Sequence, residues 1–154
     1  MTTSTIIDRA LAARHGDEPI SIDQVNALLT DDEITDPLTV AQVAALLDLS
    51  PHTLRYYERI GLVSVPRAAS GHRMYDADSV RRITFLTRMR LSGMSIRDLT
   101  RYVELVDQGE STVPERLALM QAHRAQIARQ IAELQVSLAV TDHKIATYGG
   151  ACTP

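Results

Sequence analysis

The chain has 154 residues, 45% of them hydrophobic, and a formal net charge of −3, enough for one modest core and one extended element. It contains no apolar run of about eighteen residues, so no membrane-spanning helix is expected, and Met1 to Ile7 lack the basic start and apolar core of a signal peptide. Its single cysteine, Cys152, cannot form an internal disulfide, and a reducing, cytoplasmic setting is expected.

The overall charge conceals a segregation. Residues 1–37 carry eight acids and two arginines, residues 38–109 carry ten arginines and seven acids, and residues 110–154 balance at four against four. The middle block, at +3, is the candidate for a polyanionic partner.

In residues 1–37, Ile6, Ala10, Leu11 and Ala13 suggest one short amphipathic helix, and Ile22, Val25, Leu28 and Leu29 another. Asp31-Asp32-Glu33 and Asp36-Pro37 mark a boundary. The segment reads either as a solvated acidic extension, partly helical or disordered, or as an arm that competes with DNA for the basic block.

From Leu38 the helical period is firm, with Val40, Val43, Ala44 and Leu47 on one face. Asp48-Leu49 forms a short turn, and Ser50-Pro51 opens a second helix: the serine caps a free N–H and proline has none to lose at the first position. This helix runs to Ile60-Gly61 and carries Arg55, Tyr56 and Tyr57. Alone, that triplet fits a surface helix with half-buried tyrosines as well as a phosphate- and base-reading element. Two short helices joined by a tight turn, the second led by polar and basic residues, form a helix-turn-helix.

Leu62 to Arg67 and His72 to Tyr75 are β-prone runs around Ala68-Ala69-Ser70-Gly71, a pattern that predicts a hairpin, or wing. Arg67 and Arg73 sit on its arms with His72 and Tyr75 beside them. They read as phosphate contacts flanking a helix in the major groove, or as exposed loop arginines. Asp76 caps a third helix, Ala77 to Ser92, with Val80, Ile83, Phe85, Leu86 and Met89 apolar. Ser95-Ile96-Arg97-Asp98 has the form of a capping box and opens a fourth helix, ending near Gly109.

The last helix carries a heptad seam at Leu117, Met120, Arg124, Ile127, Ile131, Leu134, Leu138, Thr141, Ile145 and Tyr148. Alternating steps of three and four extend it over about 45 Å. No helix of that length exists elsewhere in the chain, so the seam calls for a second chain, with Leu117, Met120, Ile127, Ile131, Leu134, Leu138 and Ile145 at the interface. Arg124 and Thr141 either fix its register or are tolerated. Gly149-Gly150 ends the helix before a short flexible tail, residues 149–154.

Three stretches together resemble the MerR family of bacterial transcription regulators: Leu38 to Ala44; Ser50 to Glu58 with Gly61-Leu62; and Arg67 with Ser70-Gly71-His72-Arg73-Met74-Tyr75. The resemblance covers about residues 38–109. It implies a mainly α fold: a winged helix-turn-helix DNA-binding domain with a helix pair over residues 38–109, then a long antiparallel coiled-coil dimerisation helix over residues 110–148. It further implies a homodimer on pseudo-palindromic double-stranded promoter DNA, acting with RNA polymerase by distorting the DNA between the −35 and −10 elements. Carried over by position, Arg55, Tyr56 and Tyr57 contact groove and backbone with His52 and Thr53 nearby, while Arg67, Arg73 and Tyr75 hold the wing on phosphates.

The departures concern the effector. Metal-sensing members place cysteines at the start of the dimerisation helix and in a loop after it; here Ser111 and Thr112 occupy the first region and Cys152 stands alone in the second. No metal site and no cofactor are expected, and His123 and His143 read as exposed helix histidines. Cys152 is either a redox or electrophile sensor or incidental. A small ligand between the fourth helix and the coiled coil, or no effector at all, are the other options. A coiled-coil interaction module whose helix-turn-helix does not touch DNA is the alternative function; the basic wing argues against it. Nothing resembles a nucleophile–base pair, a phosphate loop or a metal cluster, so an enzyme is not expected.

Overall fold

The computed structural model describes residues 36–150; the two short N-terminal helices expected upstream, and Cys152, lie outside them. The first helix, α1 (Val40–Leu47), is opened by a capping box. The Thr39 hydroxyl accepts from Gln42 N–H, and the Gln42 carbonyl oxygen accepts from Thr39 N–H at 2.8 Å. It stops at Asp48, whose φ of +52° turns the chain through the left-handed region that a short polar side chain tolerates.

Helix α2 (Pro51–Arg59) follows at once, with Ser50 Oγ accepting from Thr53 N–H at 3.0 Å and Pro51 at the first position. Its exit is a Schellman turn. Gly61 takes φ +78°, Gly61 N–H donates to Glu58 O, and Leu62 N–H donates to Tyr57 O.

The wing is smaller than expected. One antiparallel bridge, Arg67 with Arg73, is flanked by Ala68 N–H to His72 O at 2.8 Å and Met74 N–H to Pro66 O at 3.0 Å. The β-prone run Leu62 to Val65 does not pair; Leu62, Val63 and Val65 are buried in the core instead. Burial of these apolar side chains outweighs a ladder that Pro66, without an N–H, would interrupt. A second bridge, between Leu38 and Tyr75, exchanges two 2.8 Å hydrogen bonds and ties the entry to α1 to the base of the wing.

Asp76 caps α3 (Ala77–Leu91), which ends in another Schellman turn at Gly93, φ +98°. Ser95 opens α4 (Ile96–Asp107). Its hydroxyl accepts from Asp98 N–H and donates to the Asp98 carboxylate, so the reciprocal bond of the expected capping box is made through the side chain. The core joins Val43, Leu47, Leu54 and Tyr57 to Leu62, Tyr75, Ile83, Leu86 and Leu99. Phe85, half-buried, packs on Tyr102 with ring centroids 5.2 Å apart.

A 3-10 turn, Glu110–Thr112, leads into α5 (Val113–Thr147). Thr112 is buried and its hydroxyl donates to the carbonyls of Leu105 and Gly109. The near end of α5 packs on the rest of the chain, whereas from Ile131 to Gly150 every residue except Asp142 is exposed. No helix among the described residues is long and apolar enough to cross a membrane.

Candidate nucleic-acid interface

The helical period divides α2 into two faces. Leu54 and Tyr57, three apart, are buried, at 0% and 4% exposure. His52, Arg55 and Arg59, spaced by three and four, are exposed, and Tyr56 beside them is half-buried. The Arg59 guanidinium lies over the Tyr56 ring, 5.4 Å from its centroid, which holds the phenol on the outer side. Thr53 is half-buried at the N-terminal turn, within 2.9 Å of the Ser50 hydroxyl. Arg59 was not among the expected contacts, although its place one turn beyond Arg55 put it on the same face.

Two expected contacts change role. Tyr57 lies on the inner face of α2 and Tyr75, at 0% exposure, is in the middle of the core. Neither ring is available to a groove or a phosphate in this structure. Burial pushes both phenols above their ordinary pKa and keeps them neutral. They fix α2 and the wing base in place; the side chains that face outward are His52, Arg55, Tyr56 and Arg59.

On the wing, Arg67 is exposed and braces the turn by donating to Gly71 O at 3.1 Å. His72 is exposed at the tip, and Gly71 takes the φ of +81° that the turn requires. Arg73 is half-buried and donates to the Glu58 carboxylate on the last turn of α2, an ion pair that raises its pKa. Glu58, a motif residue to which the sequence alone assigns no role, anchors the wing to the helix. Several arginines behind this surface are neutralised locally, Arg81 by Asp78 and Arg82 by Asp107. Arg55, Arg59 and Arg67 form no ion pair among the described residues. Arg90, Arg124 and Lys144 are exposed without an ion pair among the described residues too; Arg55, Arg59 and Arg67 differ from them in lying on α2 and the wing.

Along α5 the expected interface residues divide. Leu117, Ile131, Leu134 and Leu138 are more than half exposed and Ile145 is 37% exposed. Met120 packs against the chain's own core and Ile127 is half-buried, so the near end of the seam is partly used within the chain. His143 is exposed. His123 is not: it is 6% exposed and its Nε2 lies 2.7 Å from Ser92 Oγ. It sits beside the seam on the side that faces the α3–α4 corner, which periodicity alone does not distinguish from solvent. Among the described residues no group of three or more His, Cys, Asp or Glu is placed to hold a metal ion.

Comparison with known proteins agrees with this geometry. The profile of the MerR HTH family regulatory protein matches residues 38–105, and the MerR DNA-binding profile matches residues 80–141. An uncharacterised HTH-type transcriptional regulator of Haemophilus influenzae is 32% identical over 111 residues, 71% of this chain and 82% of the relative. The HTH-type transcriptional regulator AdhR of Bacillus subtilis is 40% identical over 91 residues, 58% of this chain and 65% of AdhR. The crystal structure of HiNmlR, a MerR family regulator lacking the sensor domain, bound to promoter DNA, superposes with a TM-score of 0.68 at 32% identity, covering 73% of this chain and 90% of that one. On these matches the chain belongs to the MerR family of DNA-binding transcriptional regulators.

Proposed function

We propose that the chain acts as a symmetric homodimer that reads a pseudo-palindromic promoter site with two copies of α2 and distorts the DNA between them. The observation that carries the reading is the shared outer surface of α2 and the wing, where Arg55, Arg59 and Arg67 have no ion-pair partner among the described residues and His52 and His72 flank them. Arg55, central on the outer face, is placed to reach base edges in the major groove, with His52, Thr53 and Tyr56 around it. Arg67, with His72 at the wing tip, supplies sequence-independent phosphate contacts. Arg73 carries Glu58 with it and positions the wing more than it grips DNA.

The second chain is supported by the far half of α5. Ile131, Leu134 and Leu138 are 51%, 69% and 61% exposed, too continuous an apolar row to stay in water on a helix with no other cover among the described residues. An isologous pairing of two such helices relates the reading heads by a two-fold axis, so the DNA site is expected to be a pseudo-palindrome. Distortion of its centre brings the polymerase elements into register, the bending energy being repaid by contacts from both heads. The setting is the cytoplasm, where promoter and polymerase are.

The test is a titration of duplexes enriched by the full chain from a random-sequence pool, against unselected DNA, over a range of salt. A steep loss of affinity with salt for both, with a specific advantage of about 10³-fold or more, is expected. Equal, weak affinity for the two would overturn the reading in favour of a protein-interaction module.

A further inference from the structure

Helix α5 lies along α4, with Arg101 donating to Glu115 at 3.0 Å and Met120 packed on the core, and it is bonded back to the chain at two further places. The first is its start, where Thr112 bonds back to Leu105 and Gly109 and Arg116 donates to Gly109 O at 3.2 Å. The second is the corner between α3 and α4, where His123, Gln126 and Gln130, spaced by three and four on one face, lie on Ser92 and Gly93. His123 Nε2 is 2.7 Å from Ser92 Oγ, and Gln126 Nε2 donates to Gly93 O at 3.4 Å. A methyl group on Gly93 would lie 3.1 Å from the amide nitrogens of Gln126 and Gln130. Beyond this corner no side chain of α5 is buried.

The chemistry of the corner is directional. The Ser92 hydroxyl has one proton, and it points to the carbonyls of Arg88 and Met89, each 3.0 Å away. With that proton on a carbonyl, the oxygen accepts from His123 Nε2–H in the tautomer that leaves Nδ1 bare. In either tautomer Nδ1 is buried and has no hydrogen-bond partner among the described residues. An unpaired buried polar atom is costly, and an apolar side chain of similar size would avoid it. What the imidazole supplies in return is a bond of fixed direction. On one side packing cannot supply it: a cavity of about 150 Å³ flanks the joint, lined by Met94, Asp98, Leu119, Ala122, His123 and Gln126.

We propose that the Ser92–His123 bond is the positioning joint that sets the angle of α5 to the reading head, and through it the separation of the two reading heads in the dimer. From Gln130 to Thr147 the helix extends about 25 Å, so a tilt of about 5° at the joint moves the tip by about 2 Å. With the tip engaged by the partner, such a tilt becomes a change in head separation, more than half of one base-pair step of about 3.4 Å. The proposal rests on the dimeric DNA-binding reading.

The experiment compares the parent with His123→Ala, Ser92→Ala and His123→Gln, all full-length, on a selected duplex and on versions with one base pair added or removed at its centre. The parent is expected to lose about tenfold in affinity on the altered spacings. Both alanine variants should flatten that preference to within about threefold, and His123→Gln, which keeps an N–H donor of similar reach, should restore it. A uniform loss on all three duplexes would show a merely structural residue and overturn the proposal.

A second readout needs no DNA. With Ala69→Cys at the wing tip and Cys152→Ser, nitroxide labels report the distance between the two wings by pulsed electron spin resonance. A narrow distribution that shifts or broadens in the Ser92→Ala background is expected. An unchanged distribution overturns the joint whatever the DNA result; a changed one in a chain that binds no duplex overturns the DNA reading and leaves the joint standing.

Discussion

Replacing Tyr75 by phenylalanine separates the two roles open to this residue, wing contact and core support. The side chain is 0% exposed, and its hydroxyl is buried with no hydrogen-bond partner among the described residues. A hydroxyl removed from water and given nothing in return costs about 1–3 kcal/mol. Tyr75→Phe deletes that penalty and keeps the ring, losing only the contacts of one oxygen atom. The expected result is a gain of about 1 kcal/mol, or about 2–4 °C in Tm for a chain of this size. Urea unfolding at pH 7 and fixed protomer concentration measures it; concentration must be held because a dimer's stability depends on it. Operator affinity should stay within about twofold. A loss of affinity with unchanged stability would mean that the phenol reaches DNA, and a loss of stability above about 1 kcal/mol would mean that it has a partner; either result refutes the core assignment. Tyr75→Ala serves as the opposite control, with an expected loss of about 3–5 kcal/mol from the cavity it leaves.

Arg55→Ala should weaken binding to a selected duplex by about 10–100-fold and relax preference at one base position, with the thermal melt unchanged, as filter binding at constant salt would show. Leu134→Glu puts a charge on a side chain that is 69% exposed in the single chain; if that face pairs, sedimentation at micromolar concentration should show monomers in place of dimers, and specific binding should fall with them. Asp76 caps α3, and its hydrogen bonds from Ser79 hold its carboxyl below the ordinary range. Its contribution is therefore present above the unfolded value of about 3.9 and is lost as pH falls through the lower folded value. Asp76→Asn, which caps without ionising, should be less stable than the parent between about pH 5 and 7 and match it more closely at pH 3; a gap independent of pH would refute the assignment.

Much of this fold follows from rules that act within four residues. Ser50-Pro51, Asp76 and Ser95 start helices where their side chains can cap them, and Gly61 and Gly93 end helices because each supplies the positive φ of a Schellman turn. The faces of α2 were also readable: Leu54 marks the inner side, and Tyr57 lies three residues on. Taking Arg55-Tyr56-Tyr57 as one unit obscured this, since adjacent residues on a helix point about 100° apart. The bridge from Leu38 to Tyr75, the ion pair from Glu58 to Arg73 and the bond from Ser92 to His123 were not readable. Each joins residues fifteen or more positions apart, and local periodicity carries no information about such partners. Leu62 to Val65 had the composition of a strand, but its side chains were worth more in the core than its backbone in a two-strand ladder.

The same buried residues that were first assigned to DNA explain how the surface can read it. Arg55 has no side-chain bond among the described residues, so its direction is set by the helix beneath, which is keyed into the core by Leu54 and Tyr57. The wing is keyed in turn, by Tyr75 and its bridge to Leu38 on one side and by Arg73 to Glu58 on the other. Helix and wing thus form one rigid head whose outward cations move together. A head of that kind gains little from internal flexibility, since base readout depends on side chains held in fixed directions. A change acting on it is then most effective where the head meets α5, and of those contacts the Ser92–His123 bond is the one proposed to set the angle. That places adjustment at the α3–α4 corner, and leaves the reading surface to recognise the same sequence in every state.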